Sequence, residues 1–348
     1  MVTVNLITAQ GSNIVAVQGM PGFEISGAVV TQKLNEVSSA SLKFPSTNSA
    51  VRAMLGTSRP VIEILQDSER VFYGAVVDGK TDIFGNTELS CDGALSFLSD
   101  IVKAPFTVNN KTHAQYIQET IIEQYNNSVS AERQVWFGGV SGFENDGNVD
   151  ISHSDEYVDT LLLFKEAVEK YGGYIVESYG SANVNPYVGW MKEITVDGGR
   201  VLEFGVNELS LENRLDFSEY ASRVTAYNGS LHSTITDYDA EAAWGRRDYA
   251  YKSNAESSGV LDAEANRICN ERSTPIRTIE LDALDLHRLG AKFSDFAIGT
   301  TATLLDRGFG VNITLMVNTV ERDLFNDKNG KVVLGRAAAS LTNSLTRG

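Results

Sequence analysis

Cysteine is scarce. Cys91 and Cys269 are the only two in 348 residues. That excludes a disulfide-built scaffold and a cysteine-rich zinc site, and each thiol reads as a small buried side chain. Histidine is nearly as scarce: His113, His153, His232 and His287 are the four, and none stands at metal-ligand spacing from another. No HExxH, GxSxG, Walker or GxGxxG string is present. No apolar run approaches the roughly 18 residues of a membrane-spanning helix. Met1–Gln10 has no basic stretch followed by a long apolar one, so no secretory signal is expected there. Basic residues are outnumbered, with 29 Lys and Arg against 45 Asp and Glu, a net charge of -16. Gripping nucleic acid by its phosphates needs a basic surface, so binding to nucleic acid or an anionic membrane is not expected. What is present is ordinary globular material, 42% hydrophobic and 21% charged. It suffices for real cores and, at this length, for two or more domains.

The first hundred residues read as strands. Ala40, Leu42 and Phe44 alternate with Ser39, Ser41 and Lys43. Pro60 opens Val61–Leu65, Asp67-Ser68-Glu69 turns, and Val71–Val77 returns as a hairpin. Phe84-Gly85-Asn86 turns again into Thr87–Asp92. Short strands with regular turns predict a small barrel or sandwich. After Pro105 the pattern becomes helical. Thr112-His113-Ala114-Gln115 matches a capping box, followed by Tyr116, Ile117, Thr120, Ile121 and Tyr125 at helical spacing. A second helix is predicted from near Ser154, with Tyr157, Leu161, Phe164, Val168 and Tyr171 as its buried stripe and Gly172-Gly173 as its stop. Tyr174–Glu177 and Tyr187–Met191 read as strands, so the middle third is α+β. Strands resume at Val201–Phe204 and Arg223–Tyr227. Trp244 to Ser273 interrupts them with a helix carrying Leu261, Ala265 and Ile268. Ile279, Leu281 and Ala283 then alternate. Thr301–Leu305, the turn Asp306–Gly310 and the run Val311 to Val317 make another hairpin, and Val332–Leu334 follows the Asn329-Gly330 turn signal. The early hairpin, Val77-Asp78-Gly79 and Phe84-Gly85-Asn86 are echoed late by a hairpin, Val317-Asn318-Thr319 and Phe325-Asn326-Asp327. The echo suggests one small barrel built twice.

Candidate chemistry is thin. Glu144-Asn145-Asp146-Gly147-Asn148-Val149-Asp150 invites a calcium reading, but it lacks the strict start and the twelfth-position glutamate, and a solvated loop fits better. Asp237, Asp239 and Glu241 beside Trp244 resemble half of a glycosidase site with no carboxylate placed across a cleft. Asp285-Leu286-His287 has no nucleophile and reads as a strand-to-helix turn. His113 and His153 fall at predicted helix starts, as capping or surface residues. Gly138-Gly139-Val140-Ser141-Gly142 has no lysine for a phosphate and reads as a loop. Trp136, Trp190 and Trp244 suit packing better than a sugar platform. No residue is expected to be catalytic, to hold a cofactor or to bind a metal, and the chain is not expected to be an enzyme.

Four stretches taken in order carry a resemblance. One is Val71-Phe72-Tyr73-Gly74-Ala75-Val76-Val77 with Leu89-Ser90-Cys91-Asp92-Gly93-Ala94-Leu95-Ser96-Phe97-Leu98. The next is Asp155-Glu156-Tyr157-Val158-Asp159-Thr160-Leu161 through Tyr171-Gly172-Gly173-Tyr174. The third is Asn207-Glu208-Leu209-Ser210-Leu211-Glu212-Asn213 with Ser222-Arg223-Val224-Thr225-Ala226-Tyr227-Asn228-Gly229. The last is Ile279-Glu280-Leu281-Asp282-Ala283-Leu284-Asp285-Leu286 with Val320-Glu321-Arg322-Asp323-Leu324-Phe325-Asn326 and Val333-Leu334-Gly335. Together they resemble the N-terminal hub module of tail-associated proteins from long-tailed bacteriophages, which is related to the contractile-tail baseplate hub.

The resemblance implies an α+β, mainly β fold with two small antiparallel β-barrels and two α+β insertions. The expected parts are 1–104 (first barrel), 105–200 (α+β), 201–232 with 276–348 (second barrel) and 233–275 (helical or α+β insertion). It further implies a homotrimer that adapts the six-fold tail tube to a three-fold tip, closes the channel and opens for DNA ejection. The strands expected at its interfaces are chiefly Val61–Leu65, Val71–Val77 and Val311–Val317, since exposed strand edges must pair or be covered. The implied neighbours are the distal tail protein or tail tube, the tape-measure protein and receptor-binding or fibre proteins. DNA would pass without specific binding. The implied place is the distal end of the tail of a virion, after synthesis in the host cytoplasm. Many members carry a C-terminal hydrolase or fibre region, and the end at Gly348 leads us to expect no cell-wall cutting. The alternatives are a contractile-tail or injection-device hub and, in another class, a peptidoglycan hydrolase or glycan-binding tip protein.

Overall fold

The computed structural model describes residues 1–8, 10–55, 59–143, 147–180, 184–204, 212–255, 257–282, 291, 293–306, 311–326 and 329–335. The strands in chain order begin with β1 (Val2–Thr8), β2 (Gly11–Val17), β3 (Gly27–Lys33), β4 (Ser39–Phe44), β5 (Val61–Gln66), β6 (Glu69–Thr81) and β7 (Thr87–Gly93). Next come β8 (Val102–Lys103), β9 (Phe106–Lys111), β10 (Trp136–Ser141), β11 (Val149–His153), β12 (Val158–Asp159), β13 (Tyr174–Ser178), β14 (Tyr187–Met191) and β15 (Asp197–Phe204). The last are β16 (Glu212–Asp216), β17 (Arg223–Asn228), β18 (Leu231–Thr236), β19 (Asp248–Lys252), β20 (Ile276–Asp282), β21 (Thr301–Asp306), β22 (Val311–Asp323) and β23 (Gly330–Gly335). The helices are α1 (Ser49–Leu55), α2 (His113–Gln115), α3 (Glu123–Asn126), α4 (Thr160–Tyr171), α5 (Tyr238–Trp244) and α6 (Ser258–Arg272), with a π-wound stretch Tyr116–Ile122 joining α2 to α3. The chain divides into two compact units, Met1–Leu209 with Leu281–Gly348, and Ser210–Glu280.

In the first unit one sheet runs in the order β23-β22-β3-β4-β7-β6-β5-β1-β2. β21 pairs antiparallel with β22 and parallel with β15. Alternation decides which face is covered: in β4, Ala40, Leu42 and Phe44 are buried between more exposed neighbours, as a period of two requires. The fold is mainly β, as expected. No closed barrel forms among the described residues. β3 pairs with both β4 and β22, so early and late strands share one continuous sheet.

The middle third of that unit packs helices and a small sheet, β10-β14-β13, onto the same core. The Thr112–Gln115 capping box is formed, and Tyr116, Ile117, Thr120, Ile121 and Tyr125 are buried behind it. α4 begins at Thr160, not near Ser154, because the Asp159 carboxylate accepts from Leu162 N and caps it there. Tyr157 therefore precedes the helix and is exposed, while Leu161, Phe164 and Val168 are buried. Gly172 ends α4 with a positive φ. Gly138 to Ser141, expected as a loop, belongs to strand β10. A Cβ on Gly138 would lie 3.1 Å from the Val188 carbonyl carbon, and a side chain there would push β14 away.

In the second unit β18-β17-β19 form a three-stranded sheet. α6 lays Leu261, Ala265, Ile268 and Cys269 against Val224 and Ala226. Ser257 caps α6 by accepting from Val260 N. β16 pairs antiparallel with β20.

Candidate functional site

The residues weighed for chemistry are spread out and structurally occupied. Asp237 caps α5, a helix the sequence did not announce; its carboxylate accepts from Ala240 N at 2.9 Å. That bond holds Asp237 below the usual carboxylate range. Asp239 and Glu241 sit in the same first turn, where the positive end of the helix favours acids. Trp244, at the end of α5, meets Phe217 edge-on. The triplet is therefore a helix start rather than half of a glycosidase cleft.

His113 is not a surface cap. Thr112 does the capping, and His113 is buried against Phe143, Tyr171 and Trp190 with ring centroids 4.5, 5.1 and 5.0 Å away. His153 ends strand β11 rather than starting a helix. Its two ring nitrogens lie 2.7 Å from carboxylate oxygens of Glu156 and Glu166. Burial opposes its charge, but the bonds and charges of those two glutamates outweigh that and raise its pKa. In the acidic loop, Asp150 accepts from Asn110 N at 2.7 Å and Asn148 donates to Asn110. Glu144, Asn145 and Asp146 lie outside the described residues, as do Asp285, Leu286 and His287. Trp190 is buried and donates to Gly172 O, while Trp136 is exposed and meets Tyr187 edge-on. Both cysteines are buried, and burial pushes the Cys91 thiol up to about 12. Among the described residues, no three His, Cys, Asp or Glu side chains converge to hold a metal ion.

What the structure does bring together is a repeated strand unit. β5, β6 and β7 form one copy; β21, β22 and β23 form the other. In each, a six-residue strand leads into a thirteen-residue strand. Val61 faces Ala75 as Thr301 faces Met316. Val76 N donates to Pro60 O at 2.9 Å, and Val317 N donates to Thr300 O at 2.9 Å. One extra residue follows in both, Val77 and Asn318, where the ladder with β7 or β23 slips. An aspartate closes the turn after each long strand, Asp82 just past the end of β6 and Asp323 as the last residue of β22. Asp82 Oδ1 accepts from Phe84 N, and Asp323 Oδ1 accepts from Phe325 N, each at 2.9 Å. Asn86 and Asn329 donate to the second oxygens. The sequence echo is thus geometric. Its register differs by one residue from the reading that set Val77 on Val317, because the buried valines that match are Val76 and Val317.

The copies differ in what covers them. In the first, Glu63 faces Tyr73, and both are buried. Glu63 pairs with Arg70 at 2.6 Å and accepts from Asn5 at 3.0 Å. Arg70 also donates to the carbonyls of Tyr179, at 2.7 Å, and Val184. This clamp ties the sheet to the middle third. In the second copy the matching positions are Thr303 and Thr314, whose hydroxyls share a hydrogen bond on an exposed face. The tips differ the other way. Leu324 N donates to Ala28 O at 2.8 Å, and Leu324 and Phe325 join the main core. Ile83 and Phe84 are 94% and 75% exposed.

Of the expected interface strands Val61–Leu65, Val71–Val77 and Val311–Val317, the first two are mostly enclosed: β5 lies between β1 and β6, and β6 is flanked by β5 and β7 as far as Val76. In the third, Val311–Met316 pairs with β21 on one side and, among the described residues, with no strand on the other. Within β6, only Val77–Thr81 has a side without a strand partner among the described residues.

This architecture is similar to that of solved phage tail proteins. It is similar to a 43 kDa tail protein of prophage MuSo2 from Shewanella oneidensis, at 13% identity and TM-score 0.65, over 96% of each chain. It is also similar to the prophage tail protein gp18 from Listeria monocytogenes, at 12% identity and TM-score 0.62, over 97% of this chain and 95% of that one. A third likeness is to an Escherichia coli component of the type VI secretion system, described as structurally similar to the bacteriophage T4 tail proteins gp27 and gp5. It shows 10% identity and TM-score 0.51, over 90% of this chain and 74% of that one. In sequence, residues 198–345 match the family described as Prophage endopeptidase tail. No curated protein matches the sequence.

Proposed function

We propose that the chain is a structural hub of a bacteriophage tail tip. Three copies form a ring, and each contributes two like strand units, so a three-fold assembly meets a six-fold tube. The observation that carries this reading is the residue-for-residue match of β5–β6–β7 with β21–β22–β23 inside one chain. The parts 1–104 and 201–232 with 276–348 serve as tube-like halves around the channel, and the remaining α+β parts close it until DNA is released. The neighbours are the tail tube or distal tail protein and the tape-measure protein. An acidic chain, net charge -16, suits a channel that DNA must traverse without sticking, since like charges repel along a confined path. No catalytic step is assigned to it.

Light scattering on the purified chain tests the ring. A mass of about three times 37.9 kDa, stable on dilution, is expected for a closed cyclic assembly. A single chain at every concentration overturns it. The likeness to a type VI secretion component favours a second reading, a hub of a contractile injection device. A sheath protein in the same particle would select that reading.

A further inference from the structure

We infer that the open side of β6, Val77–Thr81, and the tip bearing Ile83 and Phe84 form the surface on which a second copy of this chain docks, with a strand of that copy standing where β3 stands on β22. The inference rests on the ring reading above and says which surface closes the ring.

The template is inside the chain. On β22, the half beyond the bulge is paired on both sides: β23 holds one, and β3 the other, from Thr319 opposite Lys33 to Asp323 opposite Val29. Leu34 N donates to Asn318 O at the start of this join, and Leu324 N donates to Ala28 O at its end. The tip then folds Leu324 and Phe325 into the core. On β6, the corresponding half has β7 on one side and, among the described residues, no strand on the other. Val77, Asp78, Gly79, Lys80 and Thr81 are all exposed. The corresponding tip carries the same aspartate-closed turn but leaves Ile83 and Phe84 in solvent. Beside this edge lies an open groove of about 370 Å³ lined by Arg59, Pro60, Val76, Val77, Asp78 and Gly79.

An open strand edge next to exposed apolar side chains is a pairing template, and soluble proteins ordinarily blunt such edges. Here the chain already shows what fits the matching surface, a strand of its own sheet. Asn318 and Leu324 turn their backbone groups toward β3. By strand alternation, Gly79 and Thr81 turn theirs to the open side. β3 of an incoming copy is already paired with β4 and β22, so another strand must enter. The contact then joins unlike surfaces, and contacts of that kind close into rings.

Two variants test it on the full chain, Ile83→Asp with Phe84→Ser, and Gly79→Pro alone. Proline removes a donor from the open side and leaves the β7 side intact, a place where sheets tolerate it. Wild type should scatter as three chains. Both variants should scatter as one chain, with the circular dichroism of wild type and a single cooperative thermal transition. In assembled wild type the Gly79 and Thr81 amides should exchange at least tenfold more slowly than in the variants' single chains. Variants that still scatter as three chains overturn this surface and leave the ring reading standing. A wild-type mass of two chains overturns head-to-tail docking in favour of edge meeting like edge. A wild type that never associates overturns the ring reading, and this surface with it.

Discussion

The two strand copies use one backbone device and spend it differently. The first is clamped at its base, where Arg70 and Glu63 are buried together under the Tyr179 and Val184 carbonyls, and is bare at its tip. The second is bare at its base, where Thr303 and Thr314 face solvent, and is held at its tip by Leu324 and Phe325. A repeat therefore does not predict equal burial; burial depends on what each copy meets. Each copy lacks one anchor that the other has, and a missing anchor on a duplicated element marks a surface waiting for a partner.

Mutations at the two ends test that contrast. The largest effect is expected at the base of the first copy. Arg70→Met leaves the Glu63 carboxylate buried without its charge partner and should cost about 3–5 kcal/mol in urea unfolding. A cost under about 1 kcal/mol would mean that the clamp does not distinguish the copies. Next is Leu324→Ala, which empties a core position at the docked tip and should cost about 2–5 kcal/mol. Phe84→Ala at the bare tip should change the stability of the unassembled chain by less than about 0.5 kcal/mol, as exposed substitutions do. Equal losses for Leu324 and Phe84 would erase the contrast between the tips. The smallest effect concerns Asp82. Its carboxylate is held below the usual range, first by the Asn86 side-chain amide and then by the backbone N–H groups of Asn86 and Phe84. A lowered folded value gives stability that is present above the unfolded value near 3.9 and lost as pH falls through the folded one. A carbon-detected NMR titration should place its midpoint below the model-peptide value. A midpoint at or above that value would mean the turn is not closed in solution.

Much of this was legible locally. The capping box at Thr112 and Gln115, the stop at Gly172 and the strand Tyr187–Met191 depend on neighbours a few residues away, and all were read from the chain. The start of α4 was misread because Asp155 and Glu156 suit a helix N-terminus as well as Asp159 does; only the contact with Leu162 N selects the last. The burial of Arg70 could not be read at all: Glu63 lies seven residues away, but the two carbonyls that complete the clamp lie more than a hundred residues away. The tips show the same limit. Phe84-Gly85-Asn86 and Phe325-Asn326-Asp327 look alike as strings, yet only the second follows a residue bonded to β3, Leu324 N to Ala28 O, and joins the main core. Of the candidate sites, the carboxylates near Trp244 were weighed as chemistry because a capped short helix and an acidic cluster have the same composition.

The pairing of β3 with β22 also has a consequence in time. Thr319 must find Lys33, which stands about 286 positions earlier in the sequence. At ribosomal rates of roughly 5–20 residues per second, β3 waits for roughly 15–60 s with one side unclaimed. During that interval a nascent chain carries two vacant edges, β3 and the outer half of β6, which by the logic of the repeat are made to accept strands of similar kind. Two neighbouring nascent chains on one message would be exposed to each other's strands before either is finished. The protein thus depends on completing its own C-terminal third before it meets another copy, and slowed translation late in the message should raise the fraction of mispaired, insoluble product.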